Sequence, residues 1–251
     1  MMARYRAFVL PRPHRVLRDF LDAMSIAVPA VLGTVATPMG TAIVMREMAK
    51  YGTDAVAAMA VINRMVPVVF AVVLSISGAM GPIFGQNFGA GRMDRVHDAF
   101  FEGLKFLAIY VVGMSALLFV LRDPIADMFC ADGQMRALLY LFLGPVALGS
   151  FFNGAIFVAN ATFNNLGRPG YSTGVNWARH TVGTWPFVVG FGAIWGAPGV
   201  LVGQAAGGAV FAVIAFWLAM RVIEEPCRDP LQGQYICPDR RMHVMSNRAL
   251  R

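Results

Sequence analysis

Between residues 133 and 223 there is not one Asp or Glu, and Arg136, Arg168, Arg179, His180 and Arg221 stand isolated among apolar side chains. Soluble surfaces intersperse both signs of charge, so this stretch has the composition of a bilayer segment. One hydrocarbon crossing takes about 20 apolar residues, and a run this long crosses several times. Charge is sparse elsewhere too: Asp, Glu, Lys and Arg make up 14% of the chain, against about 25% in soluble domains. Hydrophobic residues reach 57%, against about 45–50%, more than a soluble fold could hide. Cysteine is nearly lacking. Cys130, Cys227 and Cys237 form no C-x-x-C pair, and their odd number on separate loops argues against a disulfide framework or a zinc site. No Ser/His/Asp set, H-E-x-x-H or pair of intramembrane Asp residues is present, which speaks against an intramembrane hydrolase. The first 20 residues have no long apolar core ahead of a small-residue cleavage site, so they do not read as a secretory signal.

What is present is basic. The net charge is +7, but a nucleic-acid binder gathers Lys and Arg on a solvated face, whereas here they flank apolar runs. Anionic lipid headgroups are therefore the expected partner, and nucleic acid is not. The expected fold class is all-α, a polytopic membrane bundle of six transmembrane helices. The apolar runs place them at about 20–46, 54–81, 98–121, 134–162, 171–194 and 198–221, the last two parted by the turn Trp195-Gly-Ala-Pro-Gly199. Pro29 and Pro38 predict a bent first helix. The chain then divides into a basic segment 1–19, a six-helix lobe 20–222 and a polar tail 223–251. With the N-terminus inside, the inner segments collect Arg4, Arg6, Arg12, Arg15, Arg18, Arg92, Arg95, Lys105, Arg168 and the arginines from Arg221 onward. The outer loops hold only Arg46, Lys50, Arg122 and Arg136. Both termini are expected to be cytoplasmic, in the plasma (inner) membrane.

Few groups inside the spans can carry chemistry. Arg64 and Arg179 lie within crossings, where a charge costs a few kcal/mol on insertion scales and usually faces a cavity or a partner. Neither has an acid nearby in its own span, so carbonyls, water, surface acids, a ligand or another polypeptide must serve; snorkelling would explain them as well. On the fourth span Asn153, Asn160 and Asn164 fall within roughly 40° of one another on a helical face. That stripe is either the wall of a wet cavity or interhelical glue worth about 0.6 kcal/mol per contact. Asn63 beside Arg64, and Asn176 with Arg179 and His180 on the fifth span, favour the cavity. His180 is either a proton relay or a satisfied hydrogen-bonding group. Gly81, Gly85 and Gly89, and again Gly199, Gly203 and Gly207, recur every four residues and predict close helix packing. The Gly85–Gly91 stretch lacks the Gly-Lys-Ser/Thr ending and the preceding strand of a phosphate loop.

Four segments carry a family resemblance: Ala27-Val-Pro-Ala30; Gly52-Thr-Asp-Ala-Val-Ala-Ala58 with Asn63-Arg64; Gly85-Gln-Asn-Phe-Gly-Ala-Gly-Arg92; and Ala161-Thr-Phe-Asn-Asn-Leu-Gly-Arg-Pro169. In this order, over about residues 18–222, the chain resembles the multidrug and toxic compound extrusion (MATE) family of secondary antiporters. The resemblance implies a twelve-helix fold of two lobes, of which these residues resemble the C-terminal one. It also implies alternating access and export of small organic, cationic or amphiphilic compounds in exchange for Na+ or H+. No cofactor is implied. An N-terminal lobe, or a second copy of this chain, is the implied partner. Some members carry cation-binding acids at positions that fall near Thr37 and Asn153 here, both neutral, so these are expected to contribute only to the polar cavity. Asn63, Arg64, Asn153, Asn160, Asn176 and Arg179 are the candidate cavity residues. The alternatives are a flippase lobe for a lipid-linked precursor and a non-transporting membrane scaffold or fragment.

Overall fold

In the computed structural model the described residues are Phe20, Met24 and 35–224. The basic segment 1–19, Pro29 with much of the first expected crossing, and residues 225–251 of the expected tail lie outside them. Helices build the described part, with no strand in it. The end of the first helix, α1, covers 35–48 and leads through a 3-10 turn, Ala49–Tyr51, into α2 (Thr53–Val69). Then come α3 (Ala71–Gly89), α4 (Met93–Val120), α5 (Arg122–Met128), α6 (Gly133–Leu143), a 3-10 turn at Pro145–Gly149 and α7 (Ser150–Asn165). The described part ends in α8 (Pro169–Ala178), a π-helical turn at Arg179–Gly183, α9 (Trp185–Trp195) and α10 (Ala197–Glu224).

Three helices are long and apolar enough to cross a membrane, Met93–Val120, Pro145–Asn165 and Ala197–Glu224, and α2 with α3 makes a fourth if that bent pair is one span. The expected second crossing differs in shape from a single rod. It bends by 43° between α2 and α3, and Pro67 explains the weakness: its ring clashes with the Asn63 carbonyl one turn back and leaves that carbonyl without a donor. The Gly-rich stretch after Gly78 does not stop the helix, since α3 continues to Gly89. The fourth expected crossing is likewise divided, because Gly144 (φ −98°, ψ −112°) leaves helical geometry between α6 and Pro145. The fifth is two helices of 10 and 11 residues joined by the π turn. Pro186, at the start of α9, accounts for the interruption, since in an unbroken α-helix its ring would strike the carbonyl of Val182.

Two segments of the family resemblance turn out to be helix stops. Gly91 (φ 71°) and Gly167 (φ 80°) are left-handed, and the following arginine N–H reaches back five residues: Arg92 to the Asn87 carbonyl (2.9 Å) and Arg168 to that of Phe163 (2.8 Å). Glycine takes this conformation at no steric cost, and the bond satisfies a carbonyl that the helix end orphans. Pro169 then opens α8 at a position where its missing N–H costs nothing.

The bundle is arranged around α7, which packs against α3, α4, α8 and α10. Ala155, Ile156, Val158, Ala159, Ala161 and Phe163 are all buried, so it is enclosed on nearly every side. The glycine series act differently. On α10 a Cβ at Gly199, Gly203 or Gly207 would collide with the carbonyls of Phe191, Phe187 and Gly183, so this helix lies directly on the backbone of α9 and the π turn. On α3, Gly81 and Gly85 instead make room for the side chain of Asn165, while Gly89 faces open space. Val68, Ile109, Val120, Ile194 and Trp217 are exposed on the outside of the bundle, the surface that lipid tails solvate at no cost.

Candidate functional site

Polar groups on a central helix need partners on its neighbours, and α7 finds them along its seam with α8 and the π turn. Asn160 and Asn153 stand two turns apart on one face of α7; Asn176 and Arg179 stand one turn apart across from them. Asn160 Nδ2 donates to Asn176 Oδ1 at 3.2 Å. Arg179 Nη2 donates to Asn153 Oδ1. The four residues thus form a ladder with two rungs. Asn160 is 6% exposed, and its Oδ1 is buried without a hydrogen-bond partner, whereas Asn153, Asn176 and Arg179 are part-exposed.

The π turn carries the lower rung and ties in α1. His180 Nε2 lies 3.4 Å from Thr37 Oγ1, and the imidazole packs onto Gly40, where any Cβ would collide with it. Thr184 Oγ1 donates to the Arg179 carbonyl at 2.9 Å, five residues back, which supplies a donor inside the widened turn. Thr37 and Asn153 are therefore each engaged by consecutive residues of one turn, His180 and Arg179.

Other expected members do not join. Asn164, in register with Asn153 and Asn160, is exposed at the end of α7. Its neighbour Asn165 points to α3, donates to the Ala161 carbonyl at 2.8 Å and fills the space beside Gly81 and Gly85. Asn63 is part-exposed and Arg64 exposed on α2, which packs mainly on α6. No hydrogen bond or ion pair among the described residues links either of them to the ladder. The role of His180 beside Thr37 was hidden in the sequence, since it depends on how α1 lies against the π turn. The signal that could have marked the turn is Pro186, one turn beyond it.

Asn153 Oδ1 already accepts from a guanidinium, and Thr37 offers a hydroxyl beside an imidazole. A cation entering here would meet a fixed positive charge; two unit charges 4 Å apart repel by about 4 kcal/mol at an effective dielectric of about 20. These residues do not fit a sodium shell.

The MatE family model matches residues 29–189, more than half of the chain. The chain belongs to the MatE family. MatE proteins are secondary transporters rather than enzymes, and they are integral to the membrane, as these apolar helices require. An uncharacterised 21 kDa protein in the iaaL 5′ region of Pseudomonas savastanoi is 34% identical over 231 residues, 88% of this chain and 73% of that one. An FAD transporter of Shewanella oneidensis is 28% identical over 212 residues, 84% of this chain and 46% of its own. Among solved structures, the bent form of the Vibrio cholerae MATE transporter VcmN superposes with a TM-score of 0.74 at 19% identity, over 85% of this chain and 48% of that one. The chain thus spans about half the length of these two transporters. The resemblance read from the four sequence segments is confirmed, as is the all-helical membrane bundle.

Proposed function

We propose that this MatE chain forms the C-terminal lobe of an efflux transporter, which exports small amphiphilic compounds by rocking against an opposing six-helix lobe. The observation that carries the reading is the π turn Arg179–Gly183. Transporters of this kind place substrate sites near the bilayer midplane, at helices broken in mid-crossing and at the interface between repeats. The fifth crossing is broken in that way, and the break carries Arg179 and His180 against Asn153 and Thr37. The polar ladder then forms part of the cleft wall, and the opposing lobe, on the same polypeptide, on another, or as a second copy, closes it.

Exchange against Na+ or H+ requires a group whose charge follows the ion. Thr37 and Asn153 are neutral and occupied, so neither is that group, and this reading assigns it to the opposing lobe. The termini face the cytoplasm of a plasma-membrane protein: α3 and α7 end side by side, with Asn165 against Gly85, and both ends lead into arginines of the basic side, Arg92 and Arg168. A flippase for a lipid-linked precursor would need a strongly cationic cleft, but the two in-span arginines are not joined, Arg64 standing exposed on α2.

Proteoliposomes test this directly. With an opposing MatE lobe co-reconstituted, a proton or sodium gradient is expected to drive export of amphiphilic dyes, and with this chain alone it is not. Gradient-driven export by the chain alone would overturn the placement of the coupling group, and no export in either preparation would favour the scaffold.

A further inference from the structure

The charge of Arg179 is not balanced by anything the described residues provide. Stretch 133–223 holds no acid, so α7, α8 and α9 offer none, and α3 has none either. On α1 the described residues include one acid, Glu47, and it is held by Lys50 at 2.5 Å. On α10 the acid is Glu224, at the far end of the helix. On α4, Glu102 is paired with Lys105 at 2.6 Å, and Asp94 and Asp98 lie in its opening turns. Of the five N–H donors of the guanidinium, the described residues engage one, through Asn153 Oδ1.

Two of the three seam amides are oriented alike, whereas Asn160 donates and keeps an unpartnered Oδ1. Asn153 spends its oxygen on Arg179, and Asn176 spends its oxygen on Asn160. Their NH2 groups have no partner among the described residues. What the seam presents beside the positive charge is therefore a set of unengaged donors: the remaining guanidinium N–H groups, Asn153 Nδ2, and Asn176 Nδ2 on the residue one turn before Arg179. A planar fork with flanking amides matches an oxyanion, which accepts from two or three such groups at once.

We propose that the α7–α8 seam at Arg179 binds an oxyanion, a carboxylate or phosphate carried on an amphiphilic organic molecule, through the Arg179 guanidinium and the side-chain amides of Asn153 and Asn176. That this molecule is the exported substrate rests on the transporter reading above; the binding itself does not. The sign is opposite to the cationic compounds that the family resemblance implies. A cation would find here neither a free carboxylate nor a free amide oxygen on Asn153 or Asn176.

The test uses two fluorescent probes that differ by one phosphate, riboflavin 5′-phosphate and riboflavin, with the purified full chain in phosphatidylcholine nanodiscs. The phosphorylated probe is expected to bind at least about tenfold more tightly, a ratio within the range of one charged hydrogen bond, and inorganic phosphate should compete with it. Arg179→Gln should abolish the preference and Arg179→Lys retain part of it. Because loss in Arg179→Gln could reflect misfolding, Asn153→Asp is the second variant. It keeps the guanidinium but sets a carboxylate against it, so the preference should vanish while the thermal melt stays at or above that of the parent. Equal affinity for the two probes, or a preference that survives Asn153→Asp, would overturn the proposal. Adding phosphatidylglycerol identifies the source of the oxyanion: loss of the preference assigns the seam to a lipid headgroup, and persistence assigns it to a solute. Absent export with an intact phosphate preference would sink the transporter reading alone, and export without the preference would sink the anion site alone.

Discussion

Asn160 and Arg179 show how differently two polar residues can be used within one membrane seam. Asn160 is buried and bonded across to α8, so its contribution is that of an interhelical contact, about 0.6 kcal/mol on average. Arg179 is held by a single neutral acceptor. The asparagine spacing on α7 was readable as one polar face, because 0, 7 and 11 residues return to nearly the same angle on a helix. Depth was not readable, and it decides accessibility: Asn160 is 6% exposed and Ile156 fully buried, whereas Asn164, on the same face, is exposed. On a background without native cysteines, Asn160→Cys and Ile156→Cys are expected to react slowly with a small hydrophilic thiol reagent, and Asn153→Cys and Asn164→Cys severalfold faster. Equal rates at 160 and 164 would show that the α7–α8 seam opens to water along its length.

At the scale of elements, the breaks trace to prolines and the close approaches to glycines. Pro67 precedes the bend between α2 and α3, Pro145 follows the interruption at Gly144, and Pro186 follows the π turn. Each removes a donor and crowds a carbonyl one turn back, yet the local outcome differs among a bend, a 3-10 turn and a π turn, because neighbouring helices choose which distortion packs. On α10 the contrast lies between adjacent glycines. A Cβ at Gly207 would run into the carbonyl of Gly183, part of the π turn, whereas at Gly208 it would meet nothing within 4 Å. Gly207→Ala is therefore expected to lower stability by about 1–3 kcal/mol through forced separation of two backbones. Gly208→Ala should be neutral or stabilising by up to about 1 kcal/mol, as alanine outperforms glycine within a helix. Thermal melts of the two variants in detergent check this, and equal shifts would refute the direct contact of α10 with the π turn. If the π turn is displaced in Gly207→Ala, the phosphate preference at Arg179 should fall with it.

For the whole molecule, the loop arginines and the helix stops point the same way. Gly91-Arg92 and Gly167-Arg168 close α3 and α7 by the same backbone bond, and the packing of Asn165 on Gly85 puts these two ends on one side of the bundle. Positive charge there favours the cytoplasm. A membrane-impermeant thiol reagent applied outside is expected to label Lys50→Cys and spare Arg92→Cys; the reverse pattern would invert the topology. At this scale Arg64 acquires a different meaning from Arg179. It is exposed on α2, apart from the ladder.

Membrane residence, helical class and family were legible in the chain itself, because they depend on sums. The cost of placing about 20 residues in hydrocarbon depends on composition whatever the packing, and apolar runs therefore marked the crossing-length stretches Met93–Val120, Pro145–Asn165 and Ala197–Glu224. Glycines four apart foretold close packing on α10 for a similar reason, since a helix lines them up by itself. Only the tertiary structure decided that Arg179 meets Asn153, that His180 meets Thr37 across 143 residues, and that Asn63 and Arg64 stay apart from both. Those pairings depend on the rotation and depth of each helix, which many weak contacts set together and no local residue pattern encodes.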